Sequence, residues 1–486
     1  MSDMGLSVAA SGLAADLAEI NTAANNLANA TTPGYAAEKV NLSPETVAGR
    51  LGVGQGVIIS SVGQLTDAVY AAANVAAQGV QGGAAQTNQI MGSIESIFPE
   101  PSATGIASQL TTLWSDLSTL ATNPNQSGSQ QAVVGAAQTL AQTISSSFSR
   151  LSQLSSSLQS QLGSGVNDGG VLAQGNNLLG QVAQLNVGIV AGTTGGQNVN
   201  ALIDKRTAAV NQLASMLGIT TSPGAYGALS VHLNGVELVG GDIAQTLTTT
   251  GSATTANLGI VTGNGVTVNA RGLIGANVAA VNVTISSYEK QLNSVADSLA
   301  TSMNALQANG MNATGDPGSA IAGTWAGTIL PNIFVDGGSA SSTYTTSSGS
   351  YNSAATISVS SSLLGNPSLI ATASAPGAGN SNVIGTPTFD GTNAQAMAAL
   401  ASSATGPDAN YRLMIGSLGT EAANASATSS AASHMATTAA NNLSSISGVD
   451  QNTQEVHILA AQNAFQAMSK VVSAITVSFQ SLLAAV

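Results

Sequence analysis

The stretch Ile458 to Val486, ILAAQNAFQAMSKVVSAITVSFQSLLAAV, closes the chain on an apolar seam. Within these 29 residues Ile458, Ala461, Phe465, Met468, Val472, Ile475, Phe479, Leu482 and Val486 follow one another at alternating spacings of three and four. That is the a/d spacing of a helix that packs against another helix. The opposite end of the chain repeats it in Leu6, Ala10, Leu13, Leu17, Ile20, Ala24 and Leu27. Two matching seams at the two ends predict terminal helices that pair, parallel or antiparallel, with everything between them inserted into that stalk. At ~1.5 Å of rise per residue each seam is roughly 30 to 45 Å long. Leu459, Val471 and Leu483 widen the C-terminal stripe beyond what a two-helix contact uses, which points to association between subunits. The candidate interface residues are therefore Leu6, Leu13, Leu17, Ile20, Leu27, Ile458, Phe465, Met468, Val472, Ile475, Phe479 and Leu482.

Inward from the seams, the first helix is expected to stop before Thr31-Thr32-Pro33-Gly34-Tyr35, because proline disfavours helical geometry in the residue before it. Residues 85 to 218 read as mostly helical, with breaks at Pro99 to Gly105, at Asn123-Pro124 and in the Gly-rich 191 to 197. Further helical stretches are predicted at about 272 to 309 and 392 to 446. Leu229, Val231 and Leu233 alternate up to Asn234-Gly235, and Val236 and Leu238 alternate after it, which predicts a hairpin. Asn264-Gly265 before Val266 to Val268 repeats the signal, and Ala355 to Val359 is a strand candidate in a Ser/Thr/Gly/Asn-rich region. The expected fold is thus mainly α with a β-rich insertion. Residues 1–35 plus 447–486 form a terminal coiled-coil domain; 36–218, 272–312 and 392–446 form an elongated helical bundle; 219–271 and 313–391 form one projecting β-rich domain.

Charged residues are only 6% of the 486, against about 25% in an average soluble domain, so neutral polar groups must do the solvating. With 22 acidic and 9 basic residues the net charge is −13, which repels duplex nucleic acid. There is no cysteine, hence no disulfide, thiolate metal site or cysteine nucleophile. No apolar run is long enough to span a bilayer, so no membrane partner is expected. Met1 to Asp3 carries no basic region, and Asp16 and Glu19 interrupt the next segment, unlike a cleavable signal peptide. Export, if it occurs, needs another route.

No constellation suggests chemistry. His232, His434 and His457 are scattered, without ligand-type spacing, and no metal or cofactor is expected. Gly52-Val53-Gly54-Gln55-Gly56 lacks the residues of a phosphate loop and reads as a turn. Asp204-Lys205-Arg206 is a rare charge cluster in a nearly uncharged helix. It reads either as an ion pair or solvated face, or as a subunit contact that specifies register.

The segment Asn25-Asn26-Leu27-Ala28-Asn29-Ala30-Thr31-Thr32-Pro33-Gly34-Tyr35 resembles the N-terminal signature of flagellar rod, hook and hook-associated proteins, carried here by Asn25, Asn26, Leu27, Asn29, Pro33, Gly34 and Tyr35. Other stretches resemble the hook-associated protein 1 family in particular. These are Ile97-Phe98-Pro99-Glu100-Pro101-Ser102, Leu113 to Ser118 with Asn123-Pro124, Leu202-Ile203-Asp204-Lys205-Arg206, Met303 to Gly310, and Ser447-Gly448-Val449-Asp450 leading into Gln462 to Val472. The chain departs from the family where Gln451-Asn452-Thr453-Gln454 replaces the usual acidic residues, and where Phe465 replaces a common tyrosine. Both changes affect local polarity and leave the apolar seam intact. The resemblance implies a non-enzymatic subunit of the bacterial flagellum, passed unfolded through type III export and assembled extracellularly in a ring at the hook–filament junction. Its implied partners are further copies of itself, the hook protein, a second junction protein (hook-associated protein 3) and an export chaperone. Another axial protein of hook or rod type would share the signature but lack the long helical middle; a secreted adhesin would share the composition but need no terminal heptads.

Overall fold

The computed structural model describes residues 2–32, 34–45, 56–166, 168–337, 344–346, 352–377 and 379–484. Helix α1 (Ser2–Ala28) leads into a β-hairpin, β1 (Glu38–Pro44) with β2 (Val57–Gln64). Five helices follow: α2 (Ala68–Ile97), α3 (Ile106–Thr122), α4 (Ser127–Leu162), α5 (Val171–Thr194) and α6 (Asn200–Leu217). Then come seven short strands, β3 (Thr220–Pro223), β4 (Leu229–Leu233), β5 (Val236–Gly240), β6 (Ile243–Ala244), β7 (Leu247–Thr250), β8 (Gly259–Thr262) and β9 (Thr267–Val268). Helix α7 (Leu273–Ala279) runs through a π-turn at Ala280–Ile285 into α8 (Ser286–Asn309). A largely irregular stretch holds β10 (Gly310–Met311), β11 (Phe334–Asp336), α9 (Ser353–Thr356), β12 (Ile357–Val359), α10 (Ser361–Gly365) and β13 (Ala373–Ser374). The chain ends with α11 (Thr392–Ala398), α12 (Pro407–Ser447) and α13 (Gln451–Ala484). None of the described helices is long and apolar enough to cross a membrane.

The fold is mainly helical, as the periodicity predicts. Side chains at helical spacing, including Ile94, Leu113, Leu117, Leu140, Ile144, Leu213, Leu292, Leu299 and Met414, merge into one core. That core begins at Val75 and ends at Ala425, and takes no residue from α1, the β1–β2 hairpin or α13. Helix α2 begins at Ala68, well before the predicted 85. Its glycines are contact points and do not break it: a Cβ on Gly82 would lie 2.1 Å from the Ser215 carbonyl, and one on Gly79 would lie 2.9 Å from Gly218 Cα. The break at 163–170 escaped prediction and is built on Gly163, Gly165 and Gly169, all with positive φ. The helical stretch expected at 392 to 446 is interrupted at Ser403–Gly406.

Asn234-Gly235 (φ +50° and +84°) makes the predicted hairpin between β4 and β5, and Gly265 (φ +79°) turns β8 into β9. Residues 219–271 give sheets of order β3-β4-β5-β6 and β7-β8-β9 that pack on α5. The described residues of 313–391 share neither sheet. Their pairs β10-β13 and β11-β12 sit instead on α8, α4 and α11, and the strand expected at 355–359 is Ile357–Val359 with a helical turn before it. The single β-rich domain of the sequence reading is thus two separate attachments.

Amide side chains on the helices do the work that ion pairs do in more charged proteins. Asn304 accepts from Ile333 N and Phe334 N and donates to the Phe334 carbonyl; Gln307 clamps Leu369 and Ala371 in the same way. Asn282, carried in the π-turn, clamps both backbone groups of Leu258, and Asn176 clamps Leu247. A helix-borne amide has one donor and one acceptor side, which matches a neighbouring backbone C=O and N–H and satisfies both without a charge to desolvate.

Candidate assembly interface

Helices α1 and α13 pair antiparallel. Ile475 Cδ1 lies 3.4 Å from where a Cβ on Gly5 would stand, Met468 Cε lies 2.6 Å from the same point on Gly12, and Asn26 Nδ2 donates to Gln454 Oε1 at 3.0 Å. The paired numbers add to 480 in each case, so one register holds along the whole contact. The face of α1 turned to α13 is small: Gly12 and Ala23 are buried there, and Ala461 is buried on α13. Small residues let two backbones approach closely.

The predicted α1 stripe therefore is not the pairing face. Leu6 is 44% exposed and Leu17 49%, while Leu13, Ile20 and Leu27 are half-buried. At ~100° per residue, Leu13 and Leu17 stand a quarter turn or more from Gly12. On α13, Ile458, Met468, Val472 and Ile475 are half-buried, whereas Phe465 and Phe479 are exposed. The side chain of Leu482 and all of Pro33 lie outside the described residues. Farther round α13, Leu459 (59%) and Val477 (60%) face outward, and Leu42, Ile58 and Ile59 of the hairpin are exposed as well. Asp16, beside Leu17, has a buried Oδ2 without a hydrogen-bond partner, and burial raises its pKa.

The signature residues form the tie between these elements. Asn26 is 1% exposed and saturated: its Oδ1 accepts from Tyr35 OH at 2.7 Å and from Glu38 N at 2.8 Å, and its Nδ2 donates to the Glu38 carbonyl at 2.8 Å and to Gln454. One side chain thus joins α1, the turn, β1 and α13. Gln454 meets Asn26 through its amide oxygen, so the missing acidic residue costs no acceptor. Asn29 bonds back to Asn25 and accepts from Thr32 Oγ1, which closes the end of the helix. Gly34 (φ +82°) turns the chain onto α6 in a conformation that side-chain-bearing residues rarely adopt, and a Cβ there would crowd Asp204 O and Ala208 at 3.3–3.4 Å. Desolvation, helped by the charges of Glu38 and Asp204, pushes the Tyr35 phenol up to about 12.

Two of the three clustered charges, Asp204 and Arg206, turn inward, while Lys205 is exposed. Asp204 Oδ1 accepts from Gln64 Nε2 at 2.7 Å and from Ala36 N at 3.3 Å. Arg206 is buried and donates to Asn186 Oδ1 at 2.9 Å and to the Gly227 carbonyl at 2.7 Å, and burial lowers its pKa. The two side chains hold the terminal unit and the β3–β6 sheet, respectively, on α6. His232 shares a hydrogen bond with Ser222 Oγ, His434 and His457 are exposed, and residues 51–55 of the glycine-rich turn lie outside the described residues.

These motifs match known families. Residues 6–35 match the flagella basal body rod protein family, and residues 91–321 match the flagellar hook-associated protein FlgK helical domain. Flagellar hook-associated protein 1 of Bacillus subtilis (strain 168) is 30% identical over 234 residues, 45% of this chain and 44% of that protein. The middle of the chain is thus similar to the helical domain of hook-associated protein 1, and its N-terminus to rod proteins. The protein of that name from Salmonella typhimurium is 28% identical over 244 residues, 49% of this chain and 43% of that protein. Each of these alignments thus spans less than half of the relative's length. The structure of the flagellar hook junction protein FlgK from Burkholderia pseudomallei superposes with a TM-score of 0.60 at 18% identity, over 78% of this chain and 100% of that one, a likeness of fold.

The rod-type match covers α1 from Leu6 through Tyr35, the part that binds α13 and the hairpin. The helical-domain match ends in the irregular stretch after α8. Sequence reasoning missed the hairpin, the small-residue face of α1 and the central place of Asn26. A signal for the last two was present in Gly5, Ala23 and Asn26, which stand seven, eleven and fourteen residues from Gly12.

Proposed function

We propose that this chain is a structural subunit of the bacterial flagellum that joins hook to filament, exported and assembled outside the cell, with function residing in its interfaces and no reaction catalysed. The observation that carries this reading is the apolar surface left uncovered on the paired terminal helices: Leu6 and Leu17 on one flank, Leu459 and Val477 on another. Exposed apolar side chains aligned along one helix face are the surface that a packing partner would cover. Two different sticky faces on one helix pair favour head-to-tail contacts between copies, which generate rings or helices. In this reading residues 1–35 and 447–486 line a tube, the helical body forms its outer wall, and the β-bearing segments project outward. The hook protein and a second junction protein would bound the ring on either side, and a chaperone would cover the terminal helices before export. With so few charges, assembly should depend weakly on salt.

The test is Leu17→Lys. Because the side chain is half exposed, the monomer should unfold within about 0.5 kcal/mol of wild type. Assembly on isolated hooks, scored by electron microscopy, should drop at least tenfold. Assembly at wild-type level would remove the support this surface lends to the reading.

A further inference from the structure

Everything that links the terminal unit to the body passes one small junction. Among the described residues no helix or strand of the unit formed by α1, β1, β2 and α13 packs broadly on an element of the body, and the apolar core stops short of it. The chain crosses twice, at 64–67 and at 448–450, and the turn at 34–37 within the terminal unit lies against α6 beside them, so three segments far apart in sequence meet there. The crossing is polar. Asp204 accepts from Ala36 N and Gln64 Nε2; Gln64 also donates to the Asn200 carbonyl, Asn200 Nδ2 donates to the Val62 carbonyl at 3.1 Å, and Ala37 N donates to the Ser447 carbonyl at 2.8 Å. Beneath these bonds lies a cavity of about 220 Å³, lined by Gly34, Gln64, Asn74, Asp204, Asn211 and Ser447 among others. Asn74 is 5% exposed and its Oδ1 has no hydrogen-bond partner.

Close-packed apolar contacts resist shear, whereas a few directional hydrogen bonds over a cavity resist it only at the bonds themselves. Helix-to-helix packing of the kind that fixes an interdomain angle is missing at this crossing. We propose that the junction is a pivot, and that Asp204 is its latch: its contacts to Ala36 and Gln64 set the angle between the terminal helix pair and the helical body. Gly34, with φ +82°, turns the chain next to the latch, and Gly448 stands at the second crossing. A subunit that must seat its terminal helices against neighbours while its body keeps contacts elsewhere gains from an adjustable angle held by few bonds. The angle belongs to the single chain, so its test does not depend on assembly.

The chain has no cysteine, so paired spin labels can be placed cleanly at Ser146→Cys on α4 and Ser473→Cys on α13, both exposed. Double electron–electron resonance on the full chain should give one narrow distance distribution. Asp204→Ala should at least double its width, Gln64→Ala should broaden it in the same direction from the other side of the latch, and Asp204→Asn, which keeps an acceptor oxygen, should restore it. Circular dichroism checks that each variant is folded; if Asp204→Ala is not, Gln64→Ala and Asp204→Asn decide. An unchanged width in the alanine variants, or a wild-type distribution as broad as theirs, overturns the latch. Hook assembly of Leu17→Lys reports on the interface alone and leaves this width unmoved.

Discussion

Replacing Asn26 by alanine removes four hydrogen bonds at one point and leaves Glu38 N, the Glu38 carbonyl, Tyr35 OH and Gln454 Oε1 without their partner. A typical intramolecular hydrogen bond contributes about 1 kcal/mol net, and an orphaned buried group costs about 1–3 kcal/mol. Tyr35 and Gln454 are half-buried and can turn to water, so the sum is discounted to an expected loss of about 3 kcal/mol, confined to the terminal unit. The body has its own core and should not notice. Hydrogen exchange read by mass spectrometry separates the two: peptides of α1 and β1 should exchange roughly 100-fold faster, as about 3 kcal/mol implies, while peptides of α3 and α4 stay as they were. Asn26→Asp keeps both acceptors but sets a carboxylate oxygen against the Glu38 carbonyl and Gln454 Oε1. It should be as damaging at neutral pH and recover in part as acid protonates it. Asn29→Ala, whose bonds are local and exposed, is the control and should cost less than about 1 kcal/mol. If Asn26→Ala behaves like Asn29→Ala, the tie between α1, the hairpin and α13 is not where the hydrogen bonds put it.

Three further outcomes are expected. Arg206→Met keeps the apolar stem but leaves the Gly227 carbonyl without this donor and Asn186 Oδ1 with Leu229 N alone, so it should destabilise the β3–β6 sheet by about 1–3 kcal/mol, seen as faster exchange there. Gly12→Ala meets only the mobile end of Met468 and gains helix propensity, so thermal unfolding should show a change within about 1 kcal/mol; Gly82→Ala drives a Cβ into the Ser215 carbonyl and should cost more than about 2 kcal/mol. For Tyr35 the folded phenol holds its proton up to about 12, above the ordinary value of 10.0, so the folded state binds more protons in between. Its contribution to stability is full below pH 10 and is lost as pH rises toward 12; Tyr35→Phe should flatten that alkaline slope in urea titrations.

What the sequence alone determines is the local grammar. Heptad spacing makes both ends helical over Leu6–Leu27 and Ile458–Ala484, Asn234-Gly235 and Gly265 turn strands because their backbones accept positive φ, and the signature at Asn25–Tyr35 marks a rod-type N-terminus. Periodicity tells which residues share a face, though not what that face meets. The tertiary structure decided that α1 turns Gly12 and Ala23 toward α13 and leaves Leu6 and Leu17 out, because two backbones approach most closely over small residues and Asn26 fixes the rotation. It also decided the β1–β2 hairpin, whose alternation is too mixed to read until α1 lies against it, and the split of 219–271 from 313–391, whose backbone is held by amides of helices far away in sequence. Asp204 and Arg206 sit two residues apart and read as one charge cluster. On the helix they point to different neighbours, and only packing assigns one to the terminal unit and the other to the sheet.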